Sequence, residues 1–186
     1  DIEAKAIGCL ISASVCRDFL EPSTASIVHN RLELPEESFV FDVSNACLGV
    51  LNGMCIVANM IDQGTIKAGL IVSGENGGPL VNNTIEHLLS RSDITRNNIK
   101  SSFASLTIGS AAVGVLLTHK DNSQKKHKLL GGVSFAETKF NHLCRGNVDA
   151  VPHAAPLMDT NSEKLMLEGC RLAGITWNRT REVLGW

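Results

Sequence analysis

The sequence predicts an α/β fold in which a largely buried sheet is covered by helices. Two observations indicate this class. Short apolar segments, rich in β-branched residues, alternate along the chain with segments whose apolar residues repeat every 3.6 positions. Several of the apolar segments carry no charge at all, which is typical of strands covered on both faces.

The first predicted strand is Ala6–Val15, whose small and β-branched residues suit a strand covered on both faces. A short helix, Thr24–Leu32, follows because its apolar residues have helical spacing and Ser23 or Thr24 can cap its first amides. A proline and two glutamates end that pattern, and Phe39–Val43 is predicted to be a second buried strand.

Ala46–Gln63 is the clearest helix, because its apolar positions keep a 3.6-residue period and Gly64 stands where a helix C-cap is expected. Ala68–Ser73 is predicted to be a third strand. The Gly- and Asn-rich segment Gly74–Asn83 is predicted to be a loop, followed by a short polar helix.

Two further strands, Phe103–Thr118 and Leu129–Thr138, are predicted on either side of a polar turn, His119–Lys128. Thr160 and Glu163 have capping-box spacing, which predicts a long helix that ends at Gly185. One apolar face of this helix is predicted to consist of Met166, Cys170, Ala173, Trp177, Thr180 and Leu184.

The composition is that of a globular protein, with 186 residues, 44% hydrophobic and 19% charged. The formal net charge of -2 excludes an electrostatic case for nucleic-acid binding, which needs clustered basic residues. The dense basic stretch, Lys125 to Lys128, is interpreted as a solvated turn. No apolar run reaches the roughly 18 to 20 residues of a membrane span and no signal-peptide pattern is seen, so we expect a soluble, cytoplasmic protein.

The six cysteines are scattered, with no CxxC pair and no histidine at zinc-ligand spacing, so no metal site is expected. They are interpreted as reduced thiols, mostly small core residues. Cys47 is different, because it stands between a predicted strand and a predicted helix, where free amides and the helix dipole favour a thiolate. Gly49 and Gly53 leave one face of that helix bare, which allows close approach of backbone or ligand. From these residues alone, a nucleophile and a buried small residue are equally supported.

The run Asp42–Met54 (DVSNACLGVLNGM) resembles the nucleophile segment of ketoacyl synthase III enzymes and their thiolase-superfamily relatives. The resemblance continues upstream in Phe19–Ala25 and downstream in family order. The downstream segments are Ile66–Asn76, Ser105–Leu117 and Asn141–Gly146. The resemblance therefore covers nearly the whole chain. It implies part of a thiolase-like αβαβα layered fold, in which mixed sheets are covered by helices. The nucleophile Cys47 is expected at the start of a buried helix.

Within that superfamily the sequence is most similar to the olefin-biosynthesis thiolases (OleA type), which join two acyl-CoA molecules head to head. The mark of that group is a glutamate before a Pro-Ser pair, which is Glu21 here. The resemblance implies a homodimer in which Glu21 reaches the partner's site as the base for carbon–carbon bond formation. The alternative from the residues themselves is a carboxylate that stabilises the start of a helix.

The resemblance implies a two-step reaction. An acyl group passes from CoA or an acyl carrier protein to the Cys47 sulfur, and a second acyl thioester then attacks as a carbanion to give a β-keto product. Both steps form oxyanions, for which the Cys47 N–H is an expected donor. No cofactor beyond the acyl-thioester substrates is implied.

The chain departs from the family pattern at both ends. Family members begin before Asp1 and continue past Trp186 into a histidine motif, a catalytic asparagine and a glycine-rich loop. We expect residues 1–122 to be the remainder of the first thiolase-like half and 123–186 the start of the second. The histidines that are present, including His142 and His153, are interpreted as ordinary surface or core residues.

Three functions stay open from the sequence. The first is a condensing enzyme of the ketoacyl synthase III or OleA type. The second is an acyltransferase or thioesterase on the same fold, since this fold hosts several chemistries. The third is a catalytically incomplete fragment or scaffold.

Overall fold

The computed structural model describes residues 2–17, 19–123, 127–146 and 157–186, which form two compact units. One unit comprises the described residues of Asp1–Asn76 and Ser110–His127, and the other those of Gly77–Gly109 and Lys128–Trp186. The predicted division into family halves, 1–122 and 123–186, stays a prediction. Lys125, Lys126 and His153 lie outside the described residues.

The first unit is built on a four-stranded mixed sheet in the order β2-β1-β3-β4. Its strands are β1 (Ile7–Ser12), β2 (Phe39–Asp42), β3 (Ala68–Glu75) and β4 (Ala111–Thr118). β1 pairs in parallel with β2 and β3, whereas β3 and β4 are antiparallel. The predicted α/β class with a mixed, helix-covered sheet is therefore confirmed.

Two helices cover opposite faces of this sheet, α1 (Thr24–Arg31) and α2 (Gly49–Asp62). Successive residues of β1 point to the two faces, as the two-residue period of a strand requires. Leu10 packs on the α1 side with Ala25, and Ile11 packs on the α2 side with Val57. All four of these side chains are essentially inaccessible to solvent. The prediction that the first strand is covered on both faces is confirmed.

The second unit contains α3 (Gly78–Leu89), α4 (Phe103–Thr107), α5 (Ser162–Leu184) and an antiparallel pair, β5 (Cys144–Gly146) with β6 (Met158–Thr160). Within it, the buried Ser105 hydroxyl donates a hydrogen bond to the Met158 carbonyl, 3.1 Å away. Glu137 forms an ion pair with Arg171 of α5. No helix in the described ranges is both long enough and apolar enough to cross a bilayer.

Five predicted elements differ from the structure. The strand after Ala68 runs on to Glu75 and α3 begins at Gly78, so the predicted loop Gly74–Asn83 is wrong over most of its length. Phe103–Thr107 is helix rather than strand, and no strand forms over the described part of the segment 129–138. Short apolar runs do not distinguish a strand from a buried helical turn, which explains these errors.

The fourth difference is β2, which lies at the edge of the sheet and is only partly buried, with Phe39 half exposed. The predicted C-terminal ends of two helices, in contrast, agree with the structure. Gly64, with a φ of 75°, follows α2 and Gly185, with a φ of 68°, follows α5, both in the left-handed conformation typical of helix C-termini.

The start and the covered face of α5 also differ from the sequence expectation. Asn161, not Thr160, caps the helix, since its side-chain oxygen accepts a hydrogen bond from Lys164 N–H at 3.1 Å. Thr160 instead ends β6. The less exposed positions of α5 recur every four residues and are Glu168, Leu172, Thr176, Thr180 and Leu184. Only Thr180 and Leu184 of the predicted apolar face belong to this line, whereas Trp177 and Met166 are exposed.

Candidate functional site

Cys47 lies in a short 3-10 turn, Ala46–Leu48, that leads from β2 directly into α2. Its side chain is exposed. Ala46, immediately before it, has a φ of 40°, a left-handed conformation that is uncommon for residues with a Cβ. Such strained backbone is typical of functional turns, where the surrounding structure holds it in place. The predicted position of Cys47 between a strand and a helix is thus what the structure has.

The amide of Cys47 is available to a ligand. The Leu48 N–H donates to the Asn45 carbonyl at 2.9 Å, and the Gly49 N–H donates to the Ala46 carbonyl. Among the residues that the structure describes, no acceptor takes the Cys47 N–H. A thiol and a free N–H from the same residue are the two groups that a thioester carbonyl needs, one to attack its carbon and one to bind its oxygen.

Two glycines bring α2 close to the sheet beneath Cys47. A Cβ on Gly49 would lie 3.1 Å from the Ala13 carbonyl oxygen, and one on Gly53 would lie 3.0 Å from Ile71 Cγ2. Both distances are shorter than ordinary van der Waals contact, so the glycines are required for this packing. The bare helical face predicted from the sequence is therefore occupied by Ala13, just after β1, and by side chains of β1 and β3.

The side chains of Asn45 and Asn52 form a hydrogen bond that spans the Cys47 turn. The Asn45 side-chain amide donates to Asn52 Oδ1 at 2.5 Å, which ties the residue before the turn to the first turn of α2. The sequence reasoning did not single out either asparagine. Their presence in the quoted nucleophile segment, two and five positions away from the cysteine, was the available signal.

Glu21 lies in the segment between β1 and α1 and is exposed. β1 and β2 are adjacent and parallel, so the segment bearing Glu21 and the turn bearing Cys47 both follow the carboxyl ends of neighbouring strands. Within the described part of the chain, no hydrogen bond or ion pair engages the Glu21 carboxylate.

The start of α1 is stabilised by groups other than Glu21. Ser23 Oγ accepts from the Ser26 N–H at 3.2 Å. Asp42, the last residue of β2, accepts from Thr24 N–H at 3.0 Å and from Ala25 N–H at 2.8 Å. The alternative role considered for Glu21 was a carboxylate that stabilises the start of a helix. At the start of α1 that role belongs to Asp42, which was not predicted from the sequence.

The other cysteines differ from expectation. Only Cys9 is buried, and burial raises its pKa to about 11. Five of the six free thiols are exposed, so the prediction that most of them are core residues is wrong. Burial, and then a hydrogen bond with Glu75, raise the pKa of the Cys16 thiol. The described residues hold no group of three or more metal-ligating side chains.

Two of the described histidines, His29 and His119, have polar partners that lie close to them in the sequence. His29 Nε2 lies 3.0 Å from the Pro35 carbonyl oxygen, and His119 Nδ1 lies 3.3 Å from an Asp121 carboxylate oxygen. His142 lies in the last turn of a 3-10 helix, Thr138–Leu143. None of these contacts involves the Cys47 turn.

Comparisons with known proteins identify relatives of the whole chain. The chain is 38% identical over 186 residues to an acyl-CoA:acyl-CoA alkyltransferase of Xanthomonas campestris and 36% identical over 190 residues to one of Shewanella oneidensis. All of this chain is aligned in both cases, but it spans only about half the length of those relatives, 53% and 54%.

The fold is also that of a solved relative. Xanthomonas campestris OleA, a thiolase-like protein solved with bound lauric acid and lauroyl-CoA, superposes on the whole chain with a TM-score of 0.89 at 37% identity. The match covers 52% of the OleA chain. That OleA has been solved with substitutions at a cysteine, at a glutamate 26 positions before it and at a histidine 142 positions after it.

A family model places the chain more generally. The model of 3-oxoacyl-[acyl-carrier-protein (ACP)] synthase III matches residues 41–133, which is half of the chain and includes Cys47, α2 and β3. The chain therefore belongs to the 3-oxoacyl-[acyl-carrier-protein] synthase III family and has the thiolase-like fold of OleA.

Proposed function

We propose that this protein is an acyl-thioester condensing enzyme of the OleA type, in which Cys47 carries the first acyl group. The observation that carries the proposal is the Cys47 turn, where an exposed thiol and its own free N–H follow a left-handed Ala46. Relatives matched over the whole chain are acyl-CoA:acyl-CoA alkyltransferases, which makes acyl-CoA the proposed substrate and acyl carrier protein the alternative donor.

In the first step, the Cys47 thiolate attacks the carbonyl carbon of an acyl-CoA. The carbon–sulfur bond to CoA breaks, CoA leaves as a thiolate, and the acyl group remains on Cys47 as a new thioester. The Cys47 N–H hydrogen-bonds the oxyanion that forms on the way. No electrons are gained or lost overall, so the step balances without an oxidant or a reductant.

In the second step, a base removes the α-proton of a second acyl-CoA, and the carbanion attacks the Cys47 thioester. The new carbon–carbon bond gives a β-keto thioester, and Cys47 is released as a thiolate. We assign the base to Glu21, whose carboxylate has no partner among the described residues. Glu21 precedes Cys47 by 26 positions, the separation of the glutamate and cysteine substituted in Xanthomonas campestris OleA.

The proposed assembly is a homodimer, in which Glu21 of one protomer serves Cys47 of the other. Because the chain spans about half the length of the relatives it matches, condensation is assayed on the complete gene product. Acyl transfer to Cys47 is measured on residues 1–186 as well.

The test of the first step is covalent labelling by lauroyl-CoA, followed by intact and peptide mass spectrometry. We expect one acyl group on the peptide that contains Cys47 and no labelling of Cys47→Ser. Cys55→Ser is the matched control, because Cys55 is another exposed thiol and lies on α2, the helix that follows the Cys47 turn. Labelling that survives Cys47→Ser, or that is lost equally in Cys55→Ser, would contradict the proposal.

Product analysis separates the remaining alternatives. A β-keto product from two acyl-CoA molecules supports condensation, free fatty acid indicates a thioesterase, and an ester or amide indicates transfer to another acceptor. A complete gene product that neither acylates Cys47 nor consumes acyl-CoA would be a scaffold that retains only the fold.

A further inference from the structure

The segment that carries Glu21, between Cys16 and Thr24, is flanked on each side by backbone amides that donate to a carboxylate. On its N-terminal side, Glu75 accepts hydrogen bonds from Val15 N–H at 2.6 Å and from Cys16 N–H at 3.0 Å. On its C-terminal side, Asp42 accepts from the N–H groups of Thr24 and Ala25 at 3.0 and 2.8 Å. In each case the two carboxylate oxygens take two consecutive backbone amides.

The sheet explains why these two residues face the segment from either side. β1 lies between β2 and β3, and all three run parallel. Asp42 is the last residue of β2 and is paired with Ser12, the last residue of β1. Glu75 is the last residue of β3. The chain that leaves β1 therefore passes between the carboxyl ends of both neighbouring strands.

Further hydrogen bonds join the first residues of this chain to β3. Ala13 N–H donates to the Val72 carbonyl at 2.8 Å, and Gly74 N–H donates to Ser14 Oγ at 2.8 Å. These bonds end at residue 14. Beyond them, the Glu75 carboxylate and a weak bond from Cys16 Sγ to the Asn76 carbonyl, 3.4 Å long, hold the exposed residues 15 and 16.

We propose that Glu75 is a positioning residue for condensation: through the amides of Val15 and Cys16 it fixes the segment from which Glu21 reaches the reacting carbon. This inference rests on the proposed role of Glu21 as the base. A base acts efficiently only when its carboxylate is held within hydrogen-bond reach of the proton it removes, and displacement by about 1 Å can cost on the order of a hundredfold in rate.

The ionisation of Glu75 is consistent with this arrangement. Burial alone would raise the pKa of Glu75, but the hydrogen bonds from Val15 N–H and Cys16 N–H bring that pKa below its ordinary value. Glu75 is thus an anion at neutral pH, and an anion forms stronger hydrogen bonds to amides than a neutral acceptor. A glutamine at this position keeps the size of the side chain but has one acceptor oxygen instead of two.

The experiment compares Glu75→Gln with Glu37→Gln, an exposed glutamate outside the segment, in the complete gene product. Cys47 is first acylated with one equivalent of lauroyl-CoA and its acylation rate recorded. A second portion of lauroyl-CoA is then added, and condensation is followed in a single turnover by chemical quench. We expect Glu75→Gln to lower the condensation rate about tenfold or more while leaving acylation within about twofold of the native rate.

A double variant distinguishes positioning from a general structural effect. If Glu75 acts through Glu21, then Glu75→Gln has no further effect on condensation in a Glu21→Gln background. A native condensation rate in Glu75→Gln, an equal loss of acylation, or an undiminished effect in the double variant overturns the positioning role. Native condensation in Glu21→Gln alone overturns the proposed base itself, and this separate arm tells the two failures apart.

Amide hydrogen exchange gives a measurement that does not depend on activity. We expect faster exchange at Val15 and Cys16 and over the peptide that contains Glu21 in Glu75→Gln, with no change in the peptide that contains Cys47. Exchange that is unchanged in the Glu21 peptide overturns the proposal.

Discussion

The backbone carbonyl of Ala13 lies against Gly49, so close that a Cβ on Gly49 would be 3.1 Å from the carbonyl oxygen and 3.3 Å from Ala13 Cβ. Ala13 leads from β1 toward Glu21, and Gly49 begins the helix that follows Cys47. This contact joins the two segments of the candidate site through rigid backbone.

Gly49→Ala is therefore expected to displace the start of α2 from the sheet. Overpacking of this kind costs about 1 to 3 kcal/mol, which exceeds the gain of about 0.5 to 1 kcal/mol from replacing a helical glycine by alanine. We expect a lower free energy of unfolding in urea and slower acylation of Cys47. Gly174→Ala in α5 is the control, because nothing lies within 4 Å of its added Cβ and the variant should be slightly more stable. Equal behaviour of the two variants would contradict the proposed contact.

Glu75 should contribute to stability in a pH-dependent manner. Its pKa in the folded protein is below the ordinary value of 4.5, so its contribution is present above pH 4.5 and is lost as the pH falls through the lower, folded pKa. The difference in free energy of unfolding between the native protein and Glu75→Gln should be constant near neutral pH and narrow below about pH 4.5. Urea unfolding from pH 3 to pH 7 measures it.

Ser14→Ala is the control for that experiment. It removes a hydrogen bond to Gly74 N–H at the same loop, 2.8 Å long, but no titratable group. Its loss of stability should be independent of pH over the same range. A pH-independent difference for Glu75→Gln as well would show that the carboxylate charge does not contribute.

Cys9 should be distinguishable from the other five thiols by reactivity. It is fully buried in β1 and its pKa is raised to about 11 by burial, whereas the others are exposed. Iodoacetamide at pH 8 should alkylate the exposed cysteines in the folded protein and Cys9 only after unfolding. Peptide mass spectrometry with and without urea checks this, and early alkylation of Cys9 would contradict its core position.

The same burial predicts weaker folding at alkaline pH. Between pH 9.0 and about 11 the unfolded chain loses the Cys9 proton while the folded protein keeps it, so stability falls, by at most about 1.4 kcal/mol per pH unit. Cys9→Ala should lack this component, whereas Cys55→Ala, at an exposed site, should retain it. If the free energy of unfolding falls with pH equally in the two variants between pH 9 and pH 11, Cys9 is not the source of the alkaline loss of stability.

The proposed exchange of Glu21 between protomers makes a prediction about mixed dimers. Cys47→Ser alone should abolish condensation and Glu21→Gln alone should lower it strongly, because each removes one of the two groups from every site. Co-expressed with different affinity tags, they should form a heterodimer with one intact site, so that purified mixed dimers recover up to half of the native rate per dimer. Glu21 acting within its own protomer would leave the mixed dimer inactive.

The sequence predicted the elements whose pattern is long or strongly apolar. The 3.6-residue period before Gly64 located α2, and uncharged β-branched runs located β1 and β3. Shorter signals failed where several conformations suit the same residues. Phe103–Thr107 is apolar enough for a strand but forms a helical turn. At Thr160 the capping pattern was displaced by one residue, because Asn161 is an equally good cap.

The local sequence around Cys47 and Glu21 determined which residues could form the candidate site, since both the cysteine turn and the Glu-Pro-Ser segment are contiguous. Only the tertiary structure decided how those segments are held. Glu75 lies 60 and 59 positions from the amides it accepts, and Asp42 lies 18 and 17 positions from its own. These pairings arise from the spatial order of the strands in the sheet, β2-β1-β3-β4. No periodicity along the chain encodes that order.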